Sequence, residues 1–186
     1  MFDREFGFFN RLLVTALVNR FSIVIASICF MASLSLVQSS LVMFCTISKP
    51  IQFYQTGNLL LISLIILLLI IIITMMSLSI TFLLPGHIEL LALIFVTNLP
   101  LLFLSTALAP LEIMPRWLQI MSSLNPLTYA IESVRYLTFQ TNYNLINIIF
   151  YTAFGPINLV GIFAIFFILN LILFNITKHF FQQKLE

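Results

Sequence analysis

The chain contains four long stretches without a charged residue, and this spacing of charge constrains its fold more than any other feature. The stretches lie between Arg20 and Lys49, Lys49 and Glu89, Glu89 and Glu112, and Arg135 and Lys178. A helix that crosses a bilayer needs about 20 predominantly apolar residues, so each stretch can hold one. Because an open strand cannot satisfy its backbone hydrogen bonds in lipid, all four are expected to be helices.

The composition also indicates a membrane protein. Of the 186 residues, 61% are hydrophobic and 8% are charged, whereas soluble domains carry about 25% charged residues. We predict an all-α integral membrane protein that forms a single membrane domain over residues 1–186. Its transmembrane helices are expected at residues 21–47, 59–84, 88–108 and 157–176. The net charge of +2, without a run of Lys or Arg, argues against a nucleic-acid partner.

Positive residues near the ends of the spans predict the orientation. Four spans place both termini on one side of the membrane, with five positive residues there and three on the other side. The first group is Arg4, Arg11, Arg20, Lys178 and Lys184, and the second is Lys49, Arg116 and Arg135. This difference favours termini in the cytoplasm, or in the stroma if the membrane is that of a plastid.

Residues 2–14, which we call the N-terminal segment, have an amphipathic pattern. Phe2, Phe6, Phe9 and Leu13 recur at helical spacing, and charged residues lie on or near the opposite face. This pattern predicts a short helix at the cytoplasmic interface. Such a helix could rest on lipid or present its charged face to a soluble partner, and the periodicity favours neither.

Residues 109–137 form a polar, proline-punctuated island in the apolar sequence. Pro110 is predicted to end the third span, because the residue before a proline is disfavoured in a helix. Pro115 suits the first turn of a new helix, and Asn125-Pro126 marks a second break. Glu132 and Arg135 have the spacing of an ion pair on one helical face.

The expected geometry of the island is a helix, a break and a helix that dip into the outer leaflet without crossing it. Trp117 and Tyr129 suit the membrane interface. Irregular backbone at membrane depth is tolerated only when it is buried in protein or faces a water-filled cavity. The island is therefore either the rim of a pathway or a loop that caps the bundle, and its residues alone favour neither.

The spans carry no charged residue near their centres, where ion-coupled transporters usually place a titratable group. An ion-coupled carrier is therefore disfavoured. The sequence also lacks metal-ligand spacing, a G-x-S-x-G motif and a phosphate-binding loop. We predict no catalytic, cofactor-binding or metal-ligating residue, and any uphill transport must draw its energy from another subunit.

Two motifs resemble those of the membrane permease subunits of type-2 ABC (ATP-binding cassette) exporters. The sequence LSTALAPLEIMPRWLQIMSSLNPLTYAIESVR, at Leu104–Arg135, is similar to the signature near the C-terminus of these subunits. The sequence FDREFGFFNRLLV, in the N-terminal segment, is similar to their cytoplasmic coupling segment. The motifs occur in the family's order, and the resemblance covers nearly the whole chain.

The resemblance implies a permease subunit of an ATP-driven exporter. Such a chain would form a homodimer, or pair with a similar permease, and bind two ATPase subunits that hydrolyse ATP in its place. The residues that couple it to the ATPase would be Phe2, Asp3, Arg4, Glu5, Phe6, Gly7 and Arg11. The rim of the pathway at the far side would be formed by Pro110, Glu112, Pro115, Trp117, Asn125, Pro126, Tyr129 and Arg135.

The chain departs from this family most clearly in its number of spans. The family usually has six spans, with the coupling segment between the second and third, so the first two spans are expected to be missing from this chain. The alternative function is therefore a truncated or non-transporting membrane protein that acts as an assembly or structural subunit. Abundant Phe, Ile and Asn indicate an AT-rich genome, and some algal plastids carry such permeases. The expected location is a plastid membrane or a bacterial inner membrane.

Overall fold

The computed structural model describes residues 22–47, 56–83, 87–139, 144–153 and 155–183. This part of the chain forms six α-helices, one 3-10 turn and one β-hairpin. The helices are α1 (Ser22–Ile47), α2 (Thr56–Leu83), α3 (His87–Phe103), α4 (Arg116–Leu124), α5 (Pro126–Phe139) and α6 (Leu159–Gln183). The 3-10 turn is Leu111–Ile113, and the strands are β1 (Ile148–Thr152) and β2 (Gly155–Asn158).

Three helices of the described chain are long and apolar enough to cross a membrane. Their apolar cores are Val24–Val42, Leu59–Thr81 and Leu159–Phe180, and that of α3, Ile88–Phe103, is shorter. The 17 residues of α3 extend about 26 Å, slightly less than the bilayer core of about 30 Å. The predicted helical membrane fold is confirmed, whereas the predicted count of four spans is not.

The helix α3 ends at Phe103, although the sequence predicted that it continues to residue 108. Pro100 lies inside its last turn and lacks the N–H that a helix needs. Ser105 then competes for the backbone, because its hydroxyl donates to the Leu102 carbonyl at 2.6 Å and accepts from the Ala107 N–H at 3.3 Å. Such local bonds offer the chain an alternative to the helix.

The hairpin between α5 and α6 was not predicted from the sequence. Its strands are antiparallel, with Phe150 opposite Ile157. Gly155 begins the second strand at a φ of 135°, which a residue with a side chain rarely adopts. As a result α6 begins at Leu159, two residues after its predicted start at residue 157.

The packing centre of the described chain is α2, which contacts α1, α5 and most extensively α6. A cluster of buried residues joins α2, α5 and α6. Its members are Ile62, Ile65, Ile72, Tyr129, Ala130, Tyr136, Leu137, Leu159, Ile162 and Phe166. Like the outer face of α6, α1 and α3 leave many large apolar side chains exposed, but neither contributes to this cluster. These two helices are available to lipid or to another membrane segment.

Hydrogen bonds of two kinds, one between side chains and one from a side chain to the backbone, join α2 to α6 inside their apolar interface. The hydroxyls of Ser79 and Thr177 are buried and lie 2.8 Å apart. Farther along, the Asn170 amide donates to the Leu68 carbonyl at 3.3 Å. Polar contacts of this kind between membrane helices contribute about 0.6 kcal/mol on average.

We expect Thr177→Val to lower the free energy of unfolding by about 0.6 to 1.7 kcal/mol, because valine removes the hydroxyl shared between α2 and α6. Thr74→Val is the matched control, since the Thr74 hydroxyl donates within its own helix, to the Ile70 carbonyl at 2.7 Å. Titration with SDS in mixed micelles, followed by circular dichroism, measures both variants. Equal losses would contradict the interhelical role of Thr177.

Candidate functional site

The helices α4 and α5 form the helix, break and helix predicted for the island. Pro115 precedes α4, and Pro126 begins α5 directly after the break at Asn125. The backbone of Asn125 is extended, with φ −88° and ψ 118°. Its side-chain oxygen accepts the Leu127 N–H at 3.0 Å. Asn125 therefore caps α5 by satisfying one of the free donors at its start.

The same two helices supply partners for carbonyls at the end of α3. The Asn125 amide nitrogen donates to the Leu101 carbonyl at 2.7 Å, and the Ser122 hydroxyl donates to the Leu104 carbonyl. The last carbonyls of a helix have no partner within it. Carbonyls that are shielded from water are costly when they are left unpaired, so the polar side of α4 and the break stabilise the end of α3.

The orientation of α4 is the reverse of that in a water-soluble protein. Ser122 and Ser123 are buried against the rest of the chain. The exposed face is apolar and recurs at helical spacing, with Trp117, Ile120, Met121 and Leu124. Lipid favours this arrangement, because polar groups must be satisfied inside the protein while apolar groups can face hydrocarbon.

A network around Ser123 connects α4 to α5 and to the hairpin. The Ser123 hydroxyl donates to the Gln119 carbonyl at 2.7 Å and accepts the Ala153 N–H at 3.2 Å. The Tyr129 hydroxyl donates to the Ser123 carbonyl at 2.6 Å, and its ring lies 5.8 Å from that of Phe150. Burial raises the pKa of the Tyr129 phenol, because the charged phenolate is disfavoured away from water.

The predicted pair of Glu132 and Arg135 is confirmed. The Arg135 Nη1 and the Glu132 Oε1 lie 2.7 Å apart. The Arg135 Nη2 also donates to the Thr106 carbonyl at 3.1 Å. The guanidinium therefore ties α5 to the irregular chain that follows α3.

A pocket of about 570 Å³ opens between the 3-10 turn, α4, α5 and β1. Its polar lining residues are Glu112, Gln119, Glu132 and Arg135, and its apolar ones are Pro110, Leu111, Ile149, Phe150 and Tyr151. The Gln119 amide nitrogen donates to the carbonyls of Leu111 and Met114 at 3.1 and 2.8 Å. These bonds hold the 3-10 turn against α4 as one wall of the pocket.

The structure brings only some of the predicted rim residues to this pocket. Pro110, Glu112 and Arg135 line it, whereas Trp117 lies on the outward face of α4. The remaining rim residues shape the helices around it, namely Pro115, Asn125, Pro126 and Tyr129. The sequence had not singled out Gln119, Ser122 or Ser123, although their spacing marks a polar stripe on one helical face. The lining residues of β1 carried no signal in the sequence.

The predicted coupling residues lie outside the described residues. They are Phe2, Asp3, Arg4, Glu5, Phe6, Gly7 and Arg11, all of which precede α1.

The family model of the ABC-2 type transporter matches residues 1–139. The chain belongs to this family. The matched part of the ABC-2 chain runs from the N-terminal segment to the end of α5, and the hairpin and α6 follow it.

Three curated relatives of the ABC-2 chain are each named "Putative transport permease ycf38". The protein of Porphyra purpurea is 45% identical over 186 residues, that of Pyropia yezoensis 44% over 186, and that of Cyanophora paradoxa 47% over 178. These alignments cover 100%, 100% and 96% of this chain. They cover 64%, 64% and 61% of the relatives, so the chain spans less than two thirds of their length.

No solved structure matches the ABC-2 chain significantly. The family, the relatives and the three long apolar helices together show a multi-pass membrane protein of a plastid or bacterial membrane.

We expect Asn125→Ala to lower the free energy of unfolding by about 2 kcal/mol, since it removes both the cap of α5 and the bond to Leu101. Asn125→Ser keeps a neutral capping oxygen and loses the amide donor to Leu101, so its loss should be smaller. The matched control is Asn175→Ala, because the exposed Asn175 amide donates within α6, to the Leu171 carbonyl at 3.0 Å. SDS titration compares the three variants, and equal losses for the two alanine substitutions would disprove the role of Asn125.

Proposed function

We propose that this ABC-2 chain is the transmembrane permease subunit of an ATP-driven exporter and that a separate ATPase subunit hydrolyses ATP for it. The observation that carries the proposal is that one family match covers both the N-terminal segment and the island. A permease needs a region that contacts its ATPase and a region that forms the exit on the other side. The relatives' name, which describes a transport permease, supports the same function.

The N-terminal segment would couple the permease to the ATPase. Its charged residues, with Asp3, Arg4 and Glu5 in sequence, suit a polar groove on a soluble partner. Its apolar face would lie on the membrane or against the first span. Closure of the ATPase would then move the membrane helices through this segment.

The island would form the exit on the far side of the membrane. The outward apolar face of α4 supports a position within the outer leaflet, because the same face would be unfavourable in water. In this arrangement α3 is the fourth membrane helix. Because α3 is slightly shorter than the bilayer core, α4 and α5 would fill the remaining depth of the membrane at the far side.

A second permease chain would cover α3. The Asn98 side chain is exposed near the middle of this apolar helix and makes no hydrogen bond to the described residues. A polar side chain in hydrocarbon favours a partner on another helix, and an amide can both donate to and accept from its own copy. We therefore place a homodimer or a paired permease on the Asn98 face of α3.

The second candidate function is a non-transporting membrane protein that serves as an assembly or structural subunit. Recovery of an ATPase with the chain separates the two functions, because an assembly subunit has no need of ATP hydrolysis.

We expect the triple charge reversal Asp3→Lys, Arg4→Glu and Glu5→Lys to reduce recovery of the ATPase at least tenfold, because it inverts the charges offered to that subunit. Affinity purification from native membranes in mild detergent, followed by mass spectrometry, identifies and quantifies the ATPase. Lys178→Glu, at the exposed end of α6, is the control for a change of charge alone. Membrane insertion should be unchanged in both variants.

Two results would count against the coupling proposal. Unchanged recovery of the ATPase with the triple variant would show that the N-terminal segment only rests on lipid. Absence of any ATPase with the unaltered chain, despite full recovery of both proteins from the membrane, would favour the assembly subunit.

We expect Asn98→Cys to form a disulfide-linked dimer on mild oxidation, because the proposal places two copies of Asn98 face to face. Val96→Cys is the control, since residue 96 is also exposed but lies on the opposite side of α3. Both are made with Cys29→Ser and Cys45→Ser, and dimers are measured on non-reducing gels. Equal cross-linking at both positions would exclude a specific contact through the Asn98 face.

A further inference from the structure

The pocket beside the island contains a carboxylate without a compensating charge. Glu112 and Glu132 both line it, and Arg135 is the cation among its lining residues. Arg135 is already bound to the Glu132 carboxylate at 2.7 Å and to the Thr106 carbonyl at 3.1 Å. Within the described ranges, no Lys or Arg lies at ion-pair distance from Glu112. The lining therefore carries one net negative charge, located at Glu112.

The backbone that carries Glu112 is held in place by contacts within the island. It lies in the 3-10 turn, and the Gln119 side chain holds the carbonyls of Leu111 and Met114 on either side of it. Because this backbone is already ordered, ligand binding has to fix the Glu112 side chain but not the turn, which lowers the cost in conformational entropy.

The side of the pocket formed by β1 is apolar and aromatic. Ile149, Phe150 and Tyr151 line it, and the Phe150 ring is supported by the buried Tyr129 ring. Aromatic faces attract cations and also pack against apolar groups. The volume of about 570 Å³ lies within the range of about 300 to 1,000 Å³ typical of sites for small organic molecules.

We propose that this pocket binds an amphiphilic organic cation. The cationic group lies beside the Glu112 carboxylate, and the apolar body packs against Ile149, Phe150 and Tyr151. An anion of the same size is excluded, because it would meet the free carboxylate while Arg135 is occupied. Binding requires neither ATP nor a partner subunit, so this inference stands apart from the export function and can be tested without it.

Tetraphenylphosphonium and tetraphenylborate provide the test, since they match in size and shape and differ in the sign of their charge. The purified chain is reconstituted in nanodiscs of phosphatidylcholine, and equilibrium dialysis measures each probe against empty nanodiscs. We expect saturable binding of tetraphenylphosphonium above the empty discs and none of tetraphenylborate. Equal binding of the two probes, or no binding above the empty discs, would overturn the proposal.

A substitution then locates the site. Glu112→Gln should weaken tetraphenylphosphonium binding at least tenfold, because it removes the charge and keeps the shape. Glu89→Gln is the matched control, since Glu89 is an exposed carboxylate at the start of α3 and does not line the pocket. Unchanged binding by a folded Glu112→Gln variant would overturn the proposal.

A second substitution tests the opposite wall. Tyr151→Ala should weaken binding of the same probe several-fold, because it removes an aromatic surface. The Tyr151 side chain is 72% exposed, so its loss should leave the fold intact. If Glu112→Gln does not fold, the proposal is tested by Tyr151→Ala and by the comparison of the two probes on the unaltered chain. Full retention of binding by Tyr151→Ala would exclude the aromatic wall from the site.

Discussion

The rest of the island depends on one constraint, which is that carbonyls at the end of α3 lack a hydrogen-bond partner within that helix. Carbonyl groups that are shielded from water need hydrogen-bond donors from the protein itself. Ser122 and Asn125 do so for Leu104 and Leu101. Because Ser122 lies on α4 and Asn125 at the break, these two bonds set both the rotation of α4 and the place where α5 begins.

The rest of the island follows from that rotation. With Ser122 turned inward, Ser123 is buried as well and reaches the hairpin, while the apolar stripe of α4 faces outward. The inward side of α4 also brings Gln119 to the 3-10 turn, which positions Glu112 at the pocket. The α5 helix joins this assembly to α2 and α6, since Tyr129 and Tyr136 belong to the same buried cluster as Ile62 and Phe166. The pocket is thus built on the core of the bundle.

The features that the sequence predicted are those set by local interactions. The presence of α1, α2 and α6 followed from the charge-free stretches, although α6 continues to Gln183, beyond its predicted end at residue 176. The starts of α4 and α5 followed from Pro115 and Pro126, since a proline restricts its own neighbourhood. The Glu132–Arg135 pair followed from its spacing along one helix.

The features that the sequence did not predict depend on distant partners or on the solvent. The end of α3 is stabilised by Ser122, eighteen residues after Leu104. The pocket requires β1 as one of its walls. The pairing of β1 with β2 depends on Gly155, whose positive φ begins the second strand. The spacing of Gln119, Ser122 and Ser123 indicates a polar stripe on α4. Such a stripe faces outward in water and inward in lipid, and spacing alone does not indicate which solvent surrounds a helix.

The position of Trp117 gives the chain an optical probe of its own. It is the sole tryptophan among 186 residues, and it lies on the outward face of α4 with 65% of its surface exposed. The wavelength of indole emission depends on the polarity around the ring, and brominated acyl chains quench it according to their depth. All intrinsic tryptophan fluorescence of this protein therefore originates from α4, and it reports the immersion of that helix without a chemical label.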